Sequence, residues 1–540
     1  MKEELLDLFS VSPLRMTSQE QLREKVFARL QSFLCTEGVS SRADLQSLTK
    51  NFRDSSCPKQ PNSIESYVAY LEENIIPHSV NMASPRCMGH MTSATPTFLW
   101  ALGDVIRALN QNLVKRDASK TLTLLERQTM AMMHRLVYGF PQHFYDDHIQ
   151  KPSSTLGIMA SGGTLSNITA LWIARNACLG PTDAFKGIED EGLQAALAHY
   201  GYDGAVIIGS SLTHYSIEKA AGILGLGAKS LIRIPVDQKN RIKVSALREA
   251  VAKYVSRRQC IIAIIGNAGT TESGSIDPLS AIADIAKERN VHFHIDAAWG
   301  APLLFSRRHR HKLSGIQRAD SVTADGHKQL YLPIGSSLLL LRDPQAARAI
   351  EKQTRYMLQK QSGDLGKRAL DGSRPGTSLF LHAALHVVGA QGYEFLVDEN
   401  IRKAQIMAHA IRERTEFELL ADPETNIVLY RYIPQWLRLL PRKQKHSFST
   451  EENAQLNRFN ESLQKAQAEA SRTFVSRTIM KNTSHGEGVP IAALRAVITN
   501  PLVEEEHLRM VLEDQAAIGA ELESFGNLGY PVVSEYRITK

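Results

Sequence analysis

Four short segments of this 540-residue chain carry side chains that could do chemistry together. SGGTLSN, at 161–167, opens the helical pattern ITALWIARN. Gly162 and Gly163 leave backbone N–H groups free at a helix N-terminus, where the dipole favours an anion, and Thr164 adds a hydroxyl. The same residues would also serve as a glycine-rich turn with a Ser/Thr cap. SSLTHYSIEKAAGILGLG, at 210–227, sets His214 between a strand and a helix, a position suited to capping as well as to a ligand. HFHIDAAWG, at 292–300, ends an apolar run on Asp296. A buried carboxylate needs a partner. It could cap the next segment, or grip a protonated ring nitrogen, with Ala298 small because something flat lies against it. ADSVTADGHKQLYLPIG, at 319–335, sets Lys328 beside His327. Most lysines are on the surface, but one in a partly buried pocket can lose its proton and condense with an aldehyde.

In chain order the set is an anion cradle, a histidine, an aspartate at a strand end and a lysine. These are the parts a pyridoxal-phosphate site in an α/β sheet needs: phosphate binding, ring stacking, a pyridinium partner and an aldehyde-capturing amine. A nucleotide P-loop is excluded, because no GxxxxGK[ST] occurs, and GLGAKS at 225–230 lacks the third glycine of a dinucleotide fingerprint.

The elements that must position these residues follow from texture. Residues 1–104 read as a helical segment. Thr17 and Glu20 suit a capping box ahead of Leu22, Val26, Leu30 and Leu34, and a second helix over 63–76 carries Tyr67, Leu71 and Ile75 on one face. Residues 105–378 alternate apolar runs (GAVIIGS, CIIAIIGNAG, HFHIDAAW, SVTADGHK, SSLLLLRD) with amphipathic helices. That alternation implies a mostly parallel α/β sheet, with the ligand beyond the carboxyl ends of its strands. Residues 379–540 read as a smaller α+β domain. It has a strand at NIVLYRYIP, an exposed connection at 436–450, a long helix striped by Leu456, Phe459, Leu463 and Phe474, a strand at ALRAVITN and a last helix.

Composition narrows the class. Hydrophobic residues are 43% and charged residues 22%, which is globular. The net charge of +7 is spread thinly, and the basic stretches at 306–312 and 441–446 lack interleaved aromatics, so a nucleic-acid partner is not expected. Five scattered cysteines (Cys35, Cys57, Cys87, Cys178, Cys260) with no CxxC argue against a disulfide framework or a metal site. The acidic start MKEELLDLF lacks a signal-peptide pattern, and no apolar run reaches the ~20 residues of a membrane span. The expectation is a cytoplasmic protein without a membrane partner.

On SGGTLSN, THYSIEKAA, GTTESGSIDP, HIDAAWG and SVTADGHK, the sequence resembles the group II pyridoxal-dependent decarboxylases, the glutamate and aromatic-amino-acid decarboxylase family of fold type I. The likeness covers roughly residues 80–540. Read as a set, CMGHMTSATP, LNQNLVKRDASKTLTLLERQ, DGSRPG and ALRAVITNP look closest to the bacterial aspartate 1-decarboxylase branch. The resemblance implies pyridoxal 5'-phosphate as cofactor and a role for each matching residue. Lys328 would hold the cofactor, Asp296 would keep its ring nitrogen protonated, and His214 would stack on the ring. Gly162, Gly163 and Thr164 would cradle the phosphate with His327 beside them, and Thr271 would lie near the ring's phenolic oxygen. Ser373 would reach the phosphate from a neighbouring subunit. Arg495 would pair with the substrate α-carboxylate, a role its planar fork suits.

The resemblance further implies a homodimer, gripped through the N-terminal helices, that removes the α-carboxylate of a small acidic amino acid. Aspartate to β-alanine, serving pantothenate and coenzyme A supply, is the first expectation. Glutamate to γ-aminobutyrate and cysteine sulfinate to hypotaurine are the alternatives. One methylene separates aspartate from glutamate, a difference of only ~1–3 kcal/mol unless a cation reads the distal carboxylate. His90, in His90–Met91–Thr92, and Asn110 with Asn112 are the places to seek that contact. The family's proton-donating tyrosine has no direct match in the loop RYMLQKQSGDLGKRALDGSRPG, at 355–376: its position in the animal enzymes falls near Lys360 or Gln361. Tyr356, the loop's only tyrosine, is similar in placement to a loop tyrosine of the bacterial glutamate decarboxylases and is the candidate acid, with packing as its alternative. Intact Lys328, Asp296, His214 and Arg495 speak against a silent relative. GTTESGSIDP and ALRAVITNP speak against a carbon–carbon lyase or an aminotransferase.

Overall fold

Seven short runs form one sheet: β1 (Gly157–Ala160), β2 (Gly204–Ser210), β3 (Leu231–Ile234), β4 (Gln259–Asn267), β5 (His292–Asp296), β6 (Ser321–Asp325) and β7 (Ser337–Leu341). Their order is β1-β7-β6-β5-β4-β2-β3. β7, the SSLLLLR run, is antiparallel to both of its neighbours, and all the other pairings are parallel. The expected mostly parallel α/β sheet is therefore present. This computed structural model describes residues 6, 8, 9, 11, 13–36, 38–352, 362–439, 448–483 and 486–526.

Apolar strands covered on both faces explain the continuous hydrophobic runs. In β4, Ile261 and Ile264 point into one core with Leu279 and Ile282 of the Leu279–Glu288 helix. Cys260, Ala263 and Ile265 point into the other core, with Ile168 and Leu171 of the Gly163–Cys178 helix. Burying each such isoleucine contributes about 1.5–3 kcal/mol relative to leaving it exposed. One contact was not visible in the linear sequence. Cys178 and Cys260 are free thiols whose Sγ atoms lie 2.8 Å apart, joining that helix to β4.

A second sheet follows, built of β8 (Phe417–Ala421), β9 (Ile427–Tyr432), β10 (Ser476–Thr483) and β11 (Gly486–Val497), in the order β10-β11-β9-β8 and fully antiparallel. Trp299, just after β5, ties the two sheets together. It is buried among Leu429, Ile491 and Ala493, and its Nε1 donates to Asn426 Oδ1 at 3.1 Å.

Three local expectations are corrected. The first helix is Pro13–Leu34, so Thr17 lies inside it and does not cap it. Ser63 caps the second helix by accepting from Ser66 N–H, but the α-helix is Ile64–Tyr70 and Leu71–Ile75 continue it as a π-helix. The long helix Thr450–Ala470 has the expected buried Leu456, Phe459 and Leu463, but Ser471 in the left-handed conformation (φ 57°) ends it. Phe474 therefore lies beyond the helix, where it stacks on His90 with ring centroids 5.2 Å apart.

Candidate active site

The carboxyl ends of β1, β2, β4, β5 and β6 converge on one cavity of about 280 Å³. Gly162, Gly163, Thr164, His214, Thr271, Asp296, Ala298, His327 and Lys328 all line it. At the β1 end, the first bonds of the Gly163–Cys178 helix run from Leu165 and Ser166 N–H to Gly162 O. The preceding N–H groups of Gly163 and Thr164 have no helical partner, which is the arrangement that binds an anion. A Cβ on Gly163 would lie 2.8 Å from Asp325 Oδ2, so a side chain there would have to displace the Asp325 carboxylate.

Asp296 is the last residue of β5 and is 8% exposed. Its Oδ2 accepts from Asn167 Nδ2 at 2.9 Å and its Oδ1 from Ala298 N–H at 3.1 Å. Neither partner is a cation. Asn167 is held in turn. Its Oδ1 faces His294 Nε2 at 3.0 Å, and its Nδ2 also donates to Ser216 Oγ at 2.9 Å. Burial pushes His294 down to about 3, so the ring is neutral. Nε2 then carries the proton given to Asn167, and Nδ1 accepts from Ser321 Oγ at 2.8 Å. Ser216 links the same network to His214, whose Nδ1 lies 2.8 Å from Ser216 Oγ and accepts from Ser216 N–H at 3.3 Å. Burial lowers the His214 pKa, opposed by the charge of Asp296.

Lys328 follows β6 in a turn closed by Tyr331 N–H donating to Lys328 O at 3.1 Å. Tyr331 is in the left-handed region at φ 59°, strained for a bulky residue, and its hydroxyl is fixed by Asn400 Nδ2 at 2.7 Å. That anchoring holds the lysine backbone in place. Lys328 Nζ lies 3.0 Å from Asp325 Oδ2, and His327 Nδ1 donates to Ser336 O at 2.9 Å.

Arg495, on β11 of the second sheet, does not itself line the cavity; it lies behind Thr271, which does. It is 6% exposed; its Nε donates to Thr271 O at 2.8 Å and its Nη1 to Ser476 Oγ at 3.0 Å. Nη2 has no partner among the described residues. Burial lowers its pKa to about 10, opposed by the charge of Glu272. A buried guanidinium nitrogen without an acceptor among the described residues is suited to a carboxylate oxygen.

The remaining predicted residues lie elsewhere. His90 stacks on Phe474, and burial and the charge of Arg495 both lower its pKa; its neighbour Met91 lines the cavity. Asn110 is the left-handed end of the Phe98–Leu109 helix (φ 45°), which gives its residue type a backbone reason, and it is exposed outside the cavity. Ser373 is also exposed and outside the cavity of its own chain, accepting from Asn112 Nδ2 at 3.0 Å. Tyr356, with Lys360 and Gln361, lies outside the described residues. Sequence reasoning passed over Asn167, His294, Ser216 and Asp325. All four sit inside those motifs, but the hydrogen bonds that join Asn167, Ser216 and His294 across three segments of the chain, and the pairing of Asp325 with Lys328, have no linear spacing to reveal them.

An anion cradle, a carboxylate free to take a ring N–H⁺, and a lysine at the strand ends fit pyridoxal phosphate. With the mostly parallel sheet, they define a fold type I pyridoxal-phosphate enzyme. Residues 47–433 match the pyridoxal-dependent decarboxylase conserved domain, so the chain belongs to that family and catalyses pyridoxal-phosphate-dependent amino-acid decarboxylation. It is 39% identical over 521 residues to an aspartate 1-decarboxylase of Aliivibrio fischeri (strain ATCC 700601 / ES114), covering 96% of this chain and 95% of that one. It is 31% identical over 381 residues to an L-2,4-diaminobutyrate decarboxylase of Rhizobium meliloti (strain 1021), covering 70% of each. A crystal structure of mouse CSAD superposes with a TM-score of 0.80 at 25% identity, covering 93% of this chain and 99% of that one.

Proposed function

We propose that this chain is an L-aspartate 1-decarboxylase, releasing the α-carboxylate as CO₂ and leaving β-alanine for pantothenate and coenzyme A supply in the cytoplasm. The observation that carries the substrate is the 39% identity to the Aliivibrio fischeri protein over nearly the whole of both chains.

Bound pyridoxal phosphate supplies an electron sink for the pair released from the Cα–carboxylate bond. The protein's own part is orientation and charge. In this reading Arg495 would take the α-carboxylate on Nη2, which has no partner among the described residues. Asp296, held by an amide and a backbone N–H, keeps a ring N–H⁺ in place. His214 and Ala298 offer two surfaces for a flat ring, and the N–H groups of Gly163 and Thr164 receive the phosphate. A proton must then reach Cα, and Tyr356 is our candidate donor.

The active unit is proposed to be a homodimer. Leu45 at 81%, Phe52 at 55% and Tyr67 at 58% exposure leave an apolar N-terminal surface suited to a second copy. In this reading Ser373, exposed and outside its own cavity, would serve the cavity of the second copy.

The test is a panel on purified, cofactor-loaded protein, following amine and CO₂ from aspartate, glutamate, cysteine sulfinate, 2,4-diaminobutyrate and tyrosine. Preferred turnover of aspartate is expected. Preference for another acid would overturn the β-alanine role and leave the decarboxylase chemistry intact.

A further inference from the structure

The residue that ends β6 has no assigned part in this chemistry. Asp325 is 3% exposed and lines the cavity. Its Oδ2 lies 3.0 Å from Lys328 Nζ and 3.8 Å from His327 Nε2. Its Oδ1 is buried with no hydrogen-bond partner among the described residues. Both oxygens press on the start of the cradle helix, at 2.8 and 2.9 Å from where a Gly163 Cβ would stand. A carboxylate oxygen left unpaired in a buried place is unfavourable, and like charges held close together are more so. A phosphate received by the Gly163 and Thr164 N–H groups would meet this carboxylate at once.

We propose that Asp325 is a resident anion of the phosphate cradle. In the cofactor-free protein it holds Lys328 as its counter-ion and opposes entry of a phosphate at the Gly163–Cys178 helix. It is a positioning residue, acting through Lys328 and through the charge of the cradle. The other titratable groups lining the cavity are His327 from the same turn, Asp296 from the end of β5 and His214 from the loop after β2. The cradle segment contributes Gly162, Gly163, Thr164 and Asn167 to the lining, none of them charged. Lys328 is therefore the lining's one fixed cation among the described residues, and Asp325 engages it. The inference rests on the cofactor assignment but not on which amino acid is the substrate.

The experiment compares the cofactor-stripped wild type with Asp325→Asn and Asp325→Ser. Binding of inorganic phosphate and of pyridoxal phosphate is measured by equilibrium dialysis. Both variants are expected to bind phosphate about tenfold tighter or more, the direction expected when a like charge is removed from beside an anion. A variant damaged only in its packing would lose affinity instead of gaining it. Unchanged or weaker phosphate binding in both folded variants, with pyridoxal phosphate still bound by the wild type, would overturn this proposal alone. Failure of the wild type to bind pyridoxal phosphate would overturn the cofactor reading and this proposal with it.

Discussion

Asn167 donates to Asp296 Oδ2 at 2.9 Å while its own Oδ1 accepts from His294 Nε2 at 3.0 Å. One amide thus fixes the orientation of the aspartate, and a histidine kept neutral by burial fixes the orientation of the amide. Asn167→Asp would replace that donor with a second carboxylate, so that the pair would share a proton and Asp296 would no longer be reliably anionic. The expected result is a fall in kcat of roughly 10–100-fold, as for other partners that orient a site ligand. Bound cofactor, read by its absorbance, should be retained. An unchanged kcat would remove Asn167 from this role.

Arg495 gives Nε to Thr271 O and Nη1 to Ser476 Oγ, and its Nη2 has no partner among the described residues; in the proposed reading that nitrogen meets the substrate carboxylate. Arg495→Lys keeps a positive charge but loses the planar fork that spans two acceptors. A drop of about 100-fold in kcat/KM is expected, roughly 2.7 kcal/mol of transition-state stabilisation. Steady-state kinetics with aspartate, alongside cofactor content, is the check. If cofactor loss accounts for the whole drop, Arg495 holds the site together and does not bind the substrate.

Legibility from sequence divided along the sheets themselves. β2, β4, β5, β6 and β7 have two neighbours each, and each reads as an apolar run. The strands that went unread, β1, β3, β8 and β10, are the four edges of the two sheets. An edge strand has one neighbour and is short or partly polar, so GIMA and LIRI are too brief for a period and SRTIMKNT is too polar for a buried one. The cavity residues were legible for a related reason. The parallel topology sends every strand-end motif to one side, so Gly162, His214, Asp296 and Lys328 had to meet. Asn110 and Ser373 were harder, because a helix cap and an exposed loop serine carry no period that says what they face.

The DGSRPG loop is pinned by a buried ion pair. Arg374 Nη1 lies 2.6 Å from Glu126 Oε2, Nη2 pairs with Oε1, and the two side chains are 8% and 3% exposed. Glu126→Gln would leave a buried guanidinium without its counter-charge, which costs about 3–5 kcal/mol. Removing both partners, as Glu126→Leu with Arg374→Leu, should cost much less, because no charge is then stranded. Denaturant midpoints of the three proteins distinguish these outcomes. Equal losses in the single and double variants would mean that the pair contributes through shape and not charge.

His134 does not line the cavity and offers a clean reading of pH-dependent stability. Its Nε2 donates to Leu341 O at 3.1 Å and its Nδ1 accepts from Tyr145 OH at 3.1 Å, so the buried ring is neutral. Burial lowers its pKa from 6.5 to about 4, and burial pushes His294 to about 3. Between those values and 6.5 the unfolded chain binds more protons than the folded one, so stability rises with pH across that window and is lost as the solution is acidified through it. At pH 5 each ring should have removed about 2 kcal/mol relative to pH 7.5. His134→Gln keeps a donor and an acceptor but cannot take up a proton. Its denaturant midpoint should therefore fall less than that of the wild type between pH 7.5 and pH 5. Parallel losses in the two proteins would show that His134 does not contribute to the acid sensitivity.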